Sequence, residues 1–183
     1  MGASAWLTIV SHDPTDPAGA LQAAQAQVLR AGTYHDAFGV TDDPEGAKAR
    51  FREGVSLPAD FPEPDRSEIL AHMEQEVAWR VAAVDRFVAA EHDAQRIAAL
   101  RDAAYDDGTH SVIDVTPAAL TAAATEAVRS AYGDPVPKTS AVRARPDALL
   151  SQVPARGSAV WFAVRDGHDG AADAVAFVGV SGD

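Results

Sequence analysis

Residues 158–165, SAVWFAVR, and 174–180, AVAFVGV, flank the stretch 166–173, DGHDGAAD. Both flanks are rich in β-branched and aromatic side chains, which suit a pleated, half-buried surface, and the Gly/Asp-rich stretch between them has the composition of a tight connection. The pair predicts a C-terminal antiparallel hairpin in a chain that otherwise patterns mostly as helix.

Working outward, residues 134–157, DPVPKTSAVRARPDALLSQVPARG, show no sustained periodicity and read as loop, with one turn near 147–151. Before them, Thr116 and Pro117 have the form of an N-cap and a first helical residue, and Gly133 is a helix stop, which predicts a helix between. His110 to Val115 reads as a strand entered from the turn Asp106-Asp107-Gly108. Near the start, AWLTIV at 5–10 is a further strand. Asp16 and Pro17 open a helix over 17–31, with Leu21, Val28 and Leu29 at helical spacing and Gly32 as its terminator.

Residues 65–104 carry the strongest helical signal, because Leu70, Met73, Val77, Val81, Val84 and Val88 step by three or four. A straight helix of that length would run about 60 Å, so a break is expected near Ala90 to Asp93. Between 33 and 64 the pattern fades into a Pro- and Gly-containing stretch with one short helix near 45–53. A long irregular segment of this kind is a candidate mobile lid or partner-binding flap.

The elements sum to an α+β fold: a small mixed four-stranded sheet, with strands at 5–10, 110–115, 158–165 and 174–180, packed against four or five Ala-rich helices. At 183 residues, one compact domain spanning 1–183 is the expected organisation.

With 15 Lys plus Arg against 27 Asp plus Glu, the formal charge is −12. That balance opposes binding to nucleic acid, whose affinity comes from cation contacts to phosphate. The absence of cysteine excludes disulfides, thiolate nucleophiles and sulfur-ligated zinc. MGASAWLTIV has neither a basic n-region nor a long apolar run, and no stretch is long enough to span a membrane, so a cytoplasmic address is the expectation.

Three groups of residues are candidates for function. His110, with Asp107 and Asp114 nearby, offers an imidazole beside carboxylates, the combination a general base requires. On an extended strand His110 and Asp114 would be about 13 Å apart, so partners must come from elsewhere. Lys138, Arg143 and Arg145 belong to an interval, 138–165, in which five cations face one acid, and they are candidates to hold a phosphate or carboxylate. Asp42, Asp43 and Glu45 are acids beside the irregular segment, suited to a basic protein surface. Glu68, His72 and Glu76 share a helix face but lack the Glu-x-x-His spacing of a bundle metal site. The turn at 166–170 lacks the spaced acids of an EF-hand loop. No phosphate-loop, dinucleotide or zinc-protease signature is present, and neither a cofactor nor a metal is implied.

On residues alone, the favoured function is an acidic, non-catalytic protein-binding module, an inhibitor or immunity-type partner of a basic protein. The alternative is an enzyme or ligand-binding protein for a small anionic substrate centred on His110. That alternative requires 106–114 and 138–145 to meet in space.

Overall fold

The computed structural model describes residues 4–57, 62–104, 108–167 and 170–181. In chain order its elements are β1 (Ala5–Ser11), α1 (Pro17–Ala31), α2 (Pro44–Glu53), α3 (Asp65–Ala89), α4 (Asp93–Ala103), β2 (Leu120–Ala122), α5 (Thr125–Tyr132), α6 (Thr139–Ala144), β3 (Ser158–Val164) and β4 (Ala174–Val180). Short 3-10 turns occupy Val112–Asp114, Pro117–Ala119 and Leu150–Gln152. The fold is α+β, with a mixed four-stranded sheet, and its contacts divide it into two compact units, Met1–His35 with Asp106–Asp183 and Asp36–Tyr105. No helix among the described residues is long and apolar enough to cross a membrane.

The sheet belongs to the first unit and has the order β1-β4-β3-β2. β3 and β4 form the expected hairpin, paired antiparallel from Ser158 opposite Val180 to Val164 opposite Ala174. β1 adds to β4 antiparallel, and β2 runs parallel to β3. Because side chains alternate along a strand, Val160, Phe162 and Val164 share a face with Ala174, Ala176 and Val178, and that face is buried with Val128 of α5 and Val142 of α6. Val175 and Phe177 point the other way and are also fully buried.

α1 lies against β1 and begins and ends where its sequence signals stand. The Asp16 carboxylate accepts from the Gly19 amide at 2.9 Å, and Gly32 closes the helix at φ 62°. The N-cap hydrogen bond is the first cause of an Asp16 pKa held below the ordinary carboxylate value.

Three sequence expectations are corrected. Residues 110–115 form no strand. Thr109 donates to Asp114 Oδ1 through its amide at 2.7 Å and its hydroxyl at 2.8 Å, and Ser111 Oγ accepts the Ile113 amide at 3.2 Å. Side chains that bond the local backbone compete with a ladder, and here they win. The turn also buries Val112, Ile113 and Val115 completely, whereas a strand would turn them to alternate faces.

The helix expected from Pro117 is interrupted. Leu120–Ala122 instead pairs with Ala159–Trp161, and the Ala123 amide donates to the Trp161 carbonyl at 2.9 Å. The edge of β3 needs backbone partners, and this demand overrides alanine's helical preference. The third correction lies in 134–157, where Thr139–Ala144 forms α6 around a single buried anchor, Val142, which leaves no periodicity to read, while the expected turn near 147–151 is present as Leu150–Gln152.

The second unit is helical. α2 packs on α3, and α3 on α4 across the break at Ala90 to His92. Lys48 of α2 bonds Asp85 of α3 at 2.5 Å and Glu45 at 2.7 Å, and Asp85 is the chief reason its ammonium pKa stands above the usual lysine value. Arg86 and Asp102 tie α3 to α4 at 2.7 Å.

One close approach in the sheet is testable. Trp6 stands directly opposite Gly179, and a Cβ at 179 would come within 2.0 Å of the indole Cζ2. Gly179→Ala is therefore expected to lower stability by about 1–3 kcal/mol through overpacking, and the loss should shrink in a Trp6→Leu background. Urea denaturation of the four-member mutant cycle measures both.

Candidate functional site

The site begins with the turn that replaced the expected strand. Gly108 and His110 both have positive φ, 71° and 50°. A Cβ is disfavoured in the left-handed region, so the His110 backbone is held there by its surroundings. Thr109, fully buried, and Ser111, 4 % exposed, share a hydrogen bond at 2.8 Å on either side of it. Asp114 Oδ1 receives both Thr109 bonds, while its Oδ2 is buried with no hydrogen-bond partner among the described residues. The turn thus lifts the imidazole of His110 out from a buried hydroxyl network.

The loop after α1 supplies a second imidazole. The His35 amide donates to the Thr109 carbonyl at 2.8 Å, and the His35 ring stacks on His110 with centroids 4.8 Å apart and planes 25° from parallel. Beneath, Gln25 of α1 is buried and its amide nitrogen donates to the carbonyls of Val112 at 3.1 Å and Val115 at 2.8 Å. α1, the loop to His35 and the 109–115 turn are thereby locked together.

Beside this assembly lies a cleft of about 240 Å³, with β1 as one wall through Trp6 and Thr8. Its other polar groups come from Gln27, Thr33, His110, Ser111 and Arg143. Arg143 is exposed on α6 and has no ion-pair partner among the described residues. Among the described residues no carboxylate lines the cleft, in a protein whose formal charge is −12.

The remaining candidates are distributed elsewhere. Lys138, also without an ion pair among the described residues, lines a separate cleft with Tyr132, Asp134, Ser140 and Arg165. There Arg165 is bound to Asp134 at 2.5 Å, and the Asp134 pKa is held down first by the Val136 amide and then by Arg165. Arg145 turns to its own backbone neighbourhood, donating to the Ala131 carbonyl at 2.6 Å, while its carbonyl accepts from the Tyr132 hydroxyl at 3.2 Å. Of the basic interval, only Arg143 joins His110. Asp107, with Asp106, lies outside the described residues.

Among the acids of the second unit, Asp43 caps α2 through the Gly46 amide at 3.0 Å and contacts Arg50 at 3.4 Å. Glu45 is engaged by Lys48 at 2.7 Å, whereas Asp42 is exposed with no ion pair among the described residues. No group of three metal-ligating side chains gathers among the described residues.

Sequence reasoning missed His35, Trp6 and Gln25. Gln25 had a signal, because it falls on the apolar stripe of α1 four residues after Leu21 and three before Val28, where a polar residue needs a buried partner. His35 and Trp6 had none, since both meet the site through tertiary contacts alone.

Set against known proteins, the chain matches no family model, no curated protein and no solved structure.

The backbone of His110 gives a direct check on why a histidine stands there. His110→Gly relieves the left-handed penalty and is expected to stay within about 1 kcal/mol of the parent, whereas His110→Val, β-branched at positive φ, should lose about 2 kcal/mol or more. A Gly variant as unstable as the Val variant, in the same urea titration, would show that the side chain holds the fold together.

Proposed function

We propose that the first unit binds a small anionic ligand in the cleft between β1, the 109–111 turn and α6, with Arg143 as the clamp and His110 as the group that exchanges a proton with the ligand. One observation carries this: His110 and Arg143, 33 positions apart in sequence, line the same cleft, which no carboxylate among the described residues enters. A guanidinium pairs with a carboxylate or phosphate in a geometry no ammonium reproduces, and Arg143 has no carboxylate of its own among the described residues. Ser111, Thr33 and Gln27 add neutral hydrogen-bonding groups for the ligand's other oxygens. An imidazole is the side chain most suited to give or take a proton near neutrality, so an enzyme built on this site would use His110 as its acid or base.

The acidic protein-binding reading ranks second. Its support is the overall charge together with exposed Asp42. Its weakness is that Asp43 and Glu45 already face Arg50 and Lys48, which leaves them less free to recruit a basic partner.

Calorimetric titration with inorganic phosphate and with acetate tests the proposal. Saturable binding of at least one anion is expected, weakened about tenfold or more by Arg143→Gln, since a hydrogen bond to a charged group is worth about 1.5–3 kcal/mol. Lys138→Gln, in the other cleft, should leave affinity unchanged. Binding that is absent, or equally weakened by both changes, would overturn the assignment.

A further inference from the structure

The Asp36–Tyr105 unit contains its own cleft, built without any residue of the His110 site. Its aromatic floor is Phe38 against Phe51, with ring centroids 4.6 Å apart and planes tilted by 46°. Over both rings stands Arg80 of α3, its guanidinium carbon 5.6 Å from the Phe38 centroid and 5.5 Å from that of Phe51. Arg80 Nη2 meets Glu76 Oε1 at 2.6 Å, and its side chain is only 7 % exposed. A cation withdrawn so far from water needs both the carboxylate and the ring faces to offset its desolvation. This cluster holds α2 on α3, which accounts for Arg80 and the two rings.

It does not account for the space left beside them. About 180 Å³ remains, walled on its apolar side by Phe51, Met73 and Val77, with Arg50 at the rim. Apolar protein cavities of about 150 Å³ take up benzene, so this one has room for a single aromatic ring and a small substituent. Among the described residues the charged groups lining it are Arg50, Arg80 and Glu76, an excess of one cation. Arg80 is neutralised by Glu76. Arg50 is less committed: two of its nitrogens donate to the Phe38 carbonyl, and its contact with Asp43 is long, at 3.4 Å, and exposed. An exposed ion pair of that kind contributes little and yields readily to a competing carboxylate.

We infer that this cleft is a second ligand site, for a small aromatic monocarboxylate whose ring lies against Phe51, Met73 and Val77 and whose carboxylate meets Arg50. Nothing in it depends on the anion site of the first unit, so either assignment can fail alone.

The chain contains two methionines, Met1 and Met73, which makes the Met73 methyl an assignable reporter inside the cleft. The full chain, labelled with methyl-13C methionine, would be titrated with benzoate, benzyl alcohol and benzylamine. Benzoate is expected to shift the Met73 resonance saturably and to bind about threefold or more tighter than the alcohol, the scale of an exposed ion pair, with the amine weakest. Arg50→Gln, at an exposed position, should bring benzoate down to the level of the alcohol. Val77→Phe, which fills the space, should abolish the shift while circular dichroism stays that of the parent. No saturable shift with any probe, an alcohol or amine that binds as well as benzoate, or a benzoate preference surviving Arg50→Gln would each overturn the inference.

Discussion

The carboxamide nitrogen of Gln25 donates to two buried carbonyls, Val112 at 3.1 Å and Val115 at 2.8 Å, and the geometry of the first unit's site follows from that fork. Residues 109–115 have left the sheet, so their backbone groups have no ladder to satisfy them, and an unpaired buried carbonyl is costly. One side chain of α1 takes two of these carbonyls at once. With the carbonyl ends fixed to α1 and Thr109 fixed to Asp114, the backbone between has little freedom left, and His110 emerges at a positive φ it would not choose by itself. The same α1 ends at Gly32, whose left-handed cap turns the chain so that the His35 amide reaches the Thr109 carbonyl. Two imidazoles therefore stack because one helix is held at both its middle and its end.

The distribution of charge sharpens the consequence. Several cations are committed to acids: Arg165 to Asp134, Arg86 to Asp102, Lys48 to Glu45 and Asp85, Arg80 to Glu76. In a chain with so large an excess of acid, Arg143 has no ion pair among the described residues and stands beside a cleft that none of the described carboxylates lines. An anion that comes close meets the charges lining the cleft more strongly than the net charge of the molecule, because interactions beyond about a Debye length are screened.

Legibility in the sequence followed the range of the interactions. The hairpin, α1 and the α3–α4 pair were readable, because period-two and helical patterns, an Asp-Pro start and a Gly stop are local chemistry. The α+β class and three of the four strands were likewise accessible, but the fourth was not. Leu120–Ala122 is short and alanine-bearing, and it is a strand only because β3 offers it an edge. His110 to Val115 looked like a strand because Val, Ile and Val are strand formers, while the Thr109–Asp114 and Ser111–Ile113 bonds that decide otherwise leave no periodic trace. For the site, His110 and Arg143 could be named in advance as polar groups in suggestive places. Their convergence is a tertiary fact, as is the diversion of Lys138 and Arg145 to other neighbours.

The Gln25 fork holds the turn that presents His110. Residue-resolved amide hydrogen exchange in the parent and in Gln25→Met, which keeps the side chain's length and removes its donors, tests it most directly. Faster exchange is expected at Thr109, Asp114 and Val115, whose amides are bonded inside the turn, with the amides of β3 and β4 as protected as before. Unchanged protection of 109–115 in Gln25→Met would contradict it.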